Sequence, residues 1–348
     1  MSLSFSNLSP MFENLLHAYT PLFTWIGLGL LLSRFVTESQ LKFLGQGLYW
    51  VGVPLQLFVL ARQTNSSSGG QIAVIAVIVL GISLLLAWGL WYGWQWLSPR
   101  FFADPNPITA SVVITPDSDL AAVSMAVKAK NHTNATLGSF LLAAILGNTG
   151  FVGLTLTEIL TPPQYNDWAI LFSVTNNVVG TYGIAVFIAS YFGDRAAANS
   201  WWTQIKDVLT VPSLWAFFIG LNTQFIKIPA AAETVLDQMV WVVIALALSL
   251  AGLRLGTIKN WRGVKIAAVA SVLKVILIPL CVGLAATYYG INHEARLVLV
   301  LMSGTPTGLS VLILAEVYEL DRDLLSTTIV LTFIGLFCAL PLWLWWFG

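Results

Sequence analysis

The chain has 348 residues, of which 57% are hydrophobic and only 9% charged, with a mean hydropathy of +0.81 and zero net charge. That composition excludes a soluble globular domain, and the neutral balance gives no basis for nucleic-acid binding or a polybasic surface role. An all-α polytopic membrane protein is expected, its charges kept between apolar runs because one charge in hydrocarbon costs about 2.5–3.5 kcal/mol on insertion scales.

A helix needs roughly 20 mainly apolar residues to cross the hydrocarbon core. In chain order the first half offers segments at 14–33, 41–61, 71–97, 138–160 and 168–192. The second half offers 208–226, 235–254, 264–288, 296–318 and 324–347. About ten transmembrane helices follow, five in each half. The first dozen residues hold no Lys or Arg, so the n-region of a cleaved signal peptide is missing and the first segment is expected to stay in the mature protein.

The fourth segment of each half carries the same pattern: Thr149-Gly150-x-x-x-Leu154-x-Leu156-x-Glu158 and Thr307-Gly308-x-x-x-Leu312-x-Leu314-x-Glu316. Each copy interrupts the apolar run that contains it. Two five-helix repeats are therefore expected, residues 1–196 and 197–348, and an odd number of crossings per unit inverts the second against the first. Interrupted segments at matching places in two halves point to a substrate site.

Loop charge sets the orientation, since cytoplasmic loops retain Lys and Arg. With the N-terminus outside, only Arg62, Lys227 and Arg296 fall in outer loops and Lys274 inside a segment; every other cation, from Arg34 and Lys42 to Arg322, falls in an inner loop. Both termini are then extracytoplasmic, in the plasma (inner) membrane. Residues 104–137 are too polar for a span and too long for a tight turn, and read as an atypical cytoplasmic segment.

Several stretches resemble the auxin efflux carrier (PIN-like) transporter family, in a prokaryotic-type form. They are Ser303 to Trp346 at the C-terminal end, Gly147-Asn148-Thr149-Gly150-Phe151-Val152-Gly153-Leu154 in the fourth segment, and Tyr49 to Leu57, YWVGVPLQL, in the second. The resemblance implies ten helices in inverted five-helix repeats, with the fourth and ninth broken and crossing near mid-membrane. It also implies a proline two positions after Gly153, where this chain has Thr155. On this sequence the first break rests on Gly150 and Gly153 and is expected to be the milder one, while the second keeps Pro306.

Breaking a helix inside a bilayer frees backbone N–H and C=O groups, which must be buried in protein or face a watery cavity. A half-helix N-terminus suits a carboxylate. Asn148, Thr149, Gly150 and Gly153 in the first break, and Thr305, Pro306, Thr307 and Gly308 in the second, are the candidate substrate-binding residues. Small polar residues also let helices pack closely, which is the plain structural alternative. Lys274 joins the set as an intramembrane cation able to meet a carboxylate or a coupling proton, against snorkelling or pairing with a neighbouring carboxylate. Asn176 and Asn177 join it as cavity-facing amides, with interhelical packing the alternative for at least one. Glu158 and Glu316 read as interfacial anchors.

The expected function is a secondary transporter, or permease, moving a small organic anion such as a carboxylate by alternating access. A second copy of the chain, as a homodimer, and a proton or sodium gradient are the further partners considered. No phosphate loop, D-x-x-D, H-E-x-x-H or G-x-S-x-G is present, so neither ATP nor an enzyme is expected. Cys281 and Cys338 have no metal-like spacing, and His17, His132 and His293 share none, so no metal or cofactor is expected. The alternatives are a cation/proton antiporter using Asp117 and Asp119 in TPDSDLAAV, and a non-transporting membrane receptor.

Overall fold

A computed structural model describes residues 8–63, 69–97, 134–193, 212–257 and 263–348. Among these the chain is all helical, with no strand beyond one isolated pair of bridged residues. The helices are α1 (Leu8–Leu32), α2 (Glu38–Gln63), α3 (Gly69–Leu97), α4 (Asn134–Ile145), α5 (Thr149–Leu160), α6 (Pro163–Phe192) and α7 (Pro212–Asn222). They continue with α8 (Ala230–Gly256), α9 (Val264–Tyr288), α10 (His293–Ser303), α11 (Ser310–Tyr318) and α12 (Arg322–Phe347). Seven of them, α1, α2, α3, α6, α8, α9 and α12, are long and apolar enough to cross a membrane.

Side chains explain where these helices start. Thr37 caps α2 through a capping box with Gln40, Asn292 caps α10 by accepting from the Ala295 N–H at 3.0 Å, and Asp321 caps α12 by accepting from Leu324 at 3.0 Å. Two helices contain a π-helical turn placed identically before a proline: Leu48–Gly52 before Pro54 in α2, and Leu273–Leu277 before Pro279 in α9. Proline has no N–H to close the regular ladder, and the turn widens upstream of it: Val53 donates to Leu48 O and Ile278 to Leu273 O.

Packing divides the helices into two groups. In one, α1 runs along α8 and α2 along α7. Glycines permit the first contact: a Cβ on Gly29 would overlap the Ser249 carbonyl, and one on Gly252 the Ile26 carbonyl. Close backbone approach through small residues is how helices adhere in a solvent as apolar as their own side chains. Arg62 fixes the end of α2 by donating to the carbonyls of Thr223 and Ile226, just beyond α7. In the other group α9 lies against α12 and α10, and α3 against α6, around a core that includes Phe140, Phe172 and Phe333. Phe23, Leu85, Trp215 and Ile313 are exposed on the outside, the surface expected of helices that meet lipid.

Two boundaries differ from the sequence reading. Residues 134–137 do not belong to the polar segment but form the first turn of α4, and residues 104–133 lie outside the described residues. The fourth segment is two helices, interrupted at Leu146-Gly147-Asn148, upstream of the glycines expected to break it. Gly150 and Gly153 sit in the π-helical turn that opens α5, Thr149–Gly153.

Candidate functional site

The helical run from α4 to α5 is open over 146–148, and the run from α10 to α11 over 304–309. These two open segments lie side by side. Gly147 and Thr307 form an antiparallel bridge, in which the Asn148 N–H donates to Pro306 O at 2.7 Å and the Gly308 N–H to Leu146 O at 3.0 Å. An interrupted helix leaves orphan donors and acceptors at each cut end, costly to bury unpaired. Each segment here supplies the other with one donor and one acceptor. The bridge needs close approach, and glycine provides it: a Cβ on Gly147 would overlap Thr305 Oγ1, and one on Gly308 would stand 3.2 Å from Gly147 O.

Side chains complete the crossing. Asn148 accepts from the Phe151 N–H at 3.4 Å while its carbonyl accepts from Val152 and Gly153, so it is the N-cap of α5. Thr149 Oγ1 accepts from Ser173 at 3.3 Å and from Asn176 Nδ2 at 3.4 Å, both on α6. Thr307 donates its hydroxyl to Ala143 O at 2.9 Å, and its N–H to Thr332 Oγ1 at 3.1 Å on α12. Thr305, Thr307 and Thr332 are fully buried. A Cβ on Gly153 would press on Met302 and Thr305, so α5 sits hard against the end of α10.

Lys274, in the π-helical turn of α9, is 3% exposed, and its Nζ would stand 3.2 Å from a Cβ on Gly147. The lysine therefore reaches the crossing and does not snorkel to a membrane face. Among the described residues no carboxylate stands within ion-pair distance of it. An ammonium beside the cut ends of two helices, with the N-termini of α5 and α11 adding partial positive charge, is an arrangement that favours negative charge.

The structure thus brings together Asn148, Thr149, Gly150, Gly153, Thr305, Pro306, Thr307, Gly308, Asn176 and Lys274. Asn177 it does not. That amide donates to Ser173 O at 2.9 Å within its own helix and lines a separate cavity with Leu57, Val174, Tyr182 and Ser213. Adjacent positions on a helix point about 100° apart, so one member of the pair faces the crossing and the other the seam between the helix groups. Asp117 and Asp119 lie outside the described residues. Glu158 is exposed, and Glu316 pairs with Arg322 at 3.5 Å and Lys42 at 3.8 Å at one end of the bundle, the position of an interfacial anchor. Among the described residues no group of His, Cys, Asp and Glu could hold a metal ion.

Gln56 was not singled out from the sequence. It is 1% exposed and donates from Nε2 to Gly150 O at 3.0 Å, tying α2 to the first residues of α5. The available signal was an amide inside an apolar segment, two residues after Pro54.

Comparison with known proteins bears on the same region. A family model described as a membrane transport protein matches residues 101–344, which include both open segments and Lys274. An uncharacterised transporter of Methanocaldococcus jannaschii is 23% identical over 216 residues, 60% of this chain and 68% of the relative. An uncharacterised transporter of Methanothermobacter thermautotrophicus is 25% identical over 206 residues, covering 58% and 65%. A probable auxin efflux carrier component 9 of Oryza sativa is 25% identical over 148 residues, 40% of this chain and 34% of that protein.

Proposed function

The chain belongs to the membrane transport protein family, that of the auxin efflux carriers, and on that premise we propose that it is a secondary transporter of a small organic anion, with a carboxylate as the recognised group. The observation that carries this reading is the bridged pair of open segments with Lys274 against it. Substrate would lie at the crossing, held by Asn148, Thr149 and Asn176 on one side and by Thr305 and Thr307 on the other, with Lys274 supplying the countercharge. Gly150, Gly153, Pro306 and Gly308 would let the two backbones approach at the crossing and shape the space left for it.

In this reading the protein crosses the membrane ten times in two inverted five-helix units, 1–196 and 197–348. The shorter helices α4, α5, α7, α10 and α11 would make up the crossings beyond the seven long ones. Both termini would be extracytoplasmic, which puts Lys42 and Arg322 on the cytoplasmic face. Alternating access would come from movement of the α1, α2, α7 and α8 group against the rest, exposing the crossing to each side in turn. Family membership favours a transporter over an enzyme.

The test is flux of radiolabelled acetate, benzoate, malate and succinate into proteoliposomes holding the full chain. Asn148→Ala removes the α5 cap, worth about 1 kcal/mol, and is expected to slow flux about fivefold with the protein still folded. Substrate-dependent flux that is indifferent to Asn148→Ala would move the site away from the crossing.

A further inference from the structure

The helix group holding α2 touches the crossing group through a regular set of polar contacts that the proposed site does not use. Lys42, Tyr49 and Gln56 stand each seven residues from the last along α2, a spacing that keeps them on one face about 10 Å apart. Each meets a partner in the other group. Lys42 pairs with Glu316 of α11 at 3.8 Å, Tyr49 shares a hydroxyl–hydroxyl hydrogen bond of 3.0 Å with Tyr182 of α6, and Gln56 donates to Gly150 O at 3.0 Å.

Burial deepens along the stripe. The Lys42 side chain is 54% exposed, Tyr49 is half-buried and Gln56 is 1% exposed. It leads from the end of the bundle that gathers Lys42, Arg322 and Glu316 to the edge of the crossing. The cavity lined by Leu57, Asn177 and Tyr182 lies in the same seam, between the level of the tyrosine pair and that of Gln56. At every level α2 presents a group able to donate to an anion: an ammonium, a hydroxyl and an amide. Each of these groups has its partner across the seam.

We propose that the anion's route between the charged end of the bundle and the crossing runs along this face of α2, shut in the present structure by Glu316, Tyr182 and the Gly150 carbonyl. The inference rests on the transport reading above. Opening requires the two helix groups to part along α2, and the entering anion then takes over the donors that the three partners release. Tyr49 and Tyr182 both sit in π-helical stretches, Leu48–Gly52 and Asn176–Ala185, where the wider turn lets the backbone adjust without losing its hydrogen bonds.

The experiment uses the full chain in proteoliposomes, with Cys281→Ser and Cys338→Ser and a single reporter, Leu57→Cys, buried in the seam. A charged, membrane-impermeant maleimide is applied from the face that holds Lys42 and Arg322. Breaking the tyrosine contact with Tyr182→Phe is expected to speed labelling of the reporter about fivefold, the effect of one net hydrogen bond, and Glu316→Gln, which breaks an exposed ion pair, about twofold. Val51→Cys, exposed on the outer surface of the same helix, is expected to stay unlabelled in all backgrounds. Labelling of Leu57→Cys at one rate with the contacts intact and broken would overturn the proposal, as would an equal rise at Val51→Cys, which reports general loosening. In the same vesicles complete labelling of Leu57→Cys should stop acetate, benzoate, malate or succinate flux, and full flux after labelling would also overturn it. Absence of flux in the unlabelled parent would strike the transport reading alone, because the labelling contrast still decides whether the seam opens along α2.

Discussion

The two open segments solve one problem by different means. The second, 304–309, is six residues long, contains Pro306, and gives way to α11 without any side-chain cap. The first, 146–148, has no proline, restarts through a π-helical turn, and is capped by Asn148. Thr155 stands where a proline breaker was expected, yet it is helical, and its hydroxyl donates to Phe151 O at 2.6 Å. The first interruption is the shorter of the two, three residues against six, yet it is a full break without a proline. What the two share is the reciprocal pair of backbone hydrogen bonds, Asn148 to Pro306 and Gly308 to Leu146. The difference teaches that the pairing, more than the proline, keeps both helices open, since each supplies the partners that the other's cut ends lack.

Substitutions can break that comparison, beginning with the pairing itself. Gly147→Val would drive a branched side chain into Thr305 and Lys274, an overpacking cost of about 3 kcal/mol. Carboxylate flux should fall about a hundredfold, with a lowered melting temperature in detergent; wild-type flux would mean that the bridge does not need Gly147. Lys274→Gln comes next. It removes the countercharge but not the bridge, so KM should rise about thirtyfold for about 2 kcal/mol of lost attraction. Stability should hold or improve, because a buried cation no longer has to be desolvated, and a simultaneous drop in melting temperature would recast Lys274 as structural.

Pro306→Ala addresses the breaker directly. If the pairing holds the second segment open, restoring an N–H there should cost no more than about threefold in flux, far below the roughly 3 kcal/mol associated with a proline inside a regular helix. A loss as large as that of Gly147→Val would restore proline to the leading role. Thr155→Val is the smallest change. It deletes one hydroxyl bond that satisfies a carbonyl already within a helix, so flux should stay within about twofold and the melting temperature within about 2 °C. A larger effect would mean that the Thr155 hydroxyl, and not the Asn148 cap, fixes the start of α5.

Hydropathy alone located the membrane class, the long helices and the neighbourhood of both interruptions, because an apolar run of that length has few other stable uses and a small polar cluster within it is conspicuous. The repeated Thr-Gly pattern pointed to Thr307, which lies in one of the two segments that meet, and to Thr149, which directly follows the other. The precise opening of the first run was misplaced, since Gly150 and Gly153 looked like breakers, whereas the helical ladder is interrupted upstream at Leu146-Gly147-Asn148. Local propensity cannot say where a helix stops when the partner for its free N–H lies on Pro306, far along the chain. For the same reason the Asn176–Asn177 pair could not be divided by composition.

The sequence by itself determined that this chain is a helical membrane protein with two polar interruptions in apolar runs, because burial of apolar length and the cost of charge in hydrocarbon act locally along the chain. Only the tertiary structure decided that the interruptions bridge one another, that Lys274 reaches them, and that Gln56 and Tyr49 of α2 close on the other helix group. Those are pairings between segments remote in sequence, fixed by how glycines let backbones approach and by the need to satisfy every buried polar group.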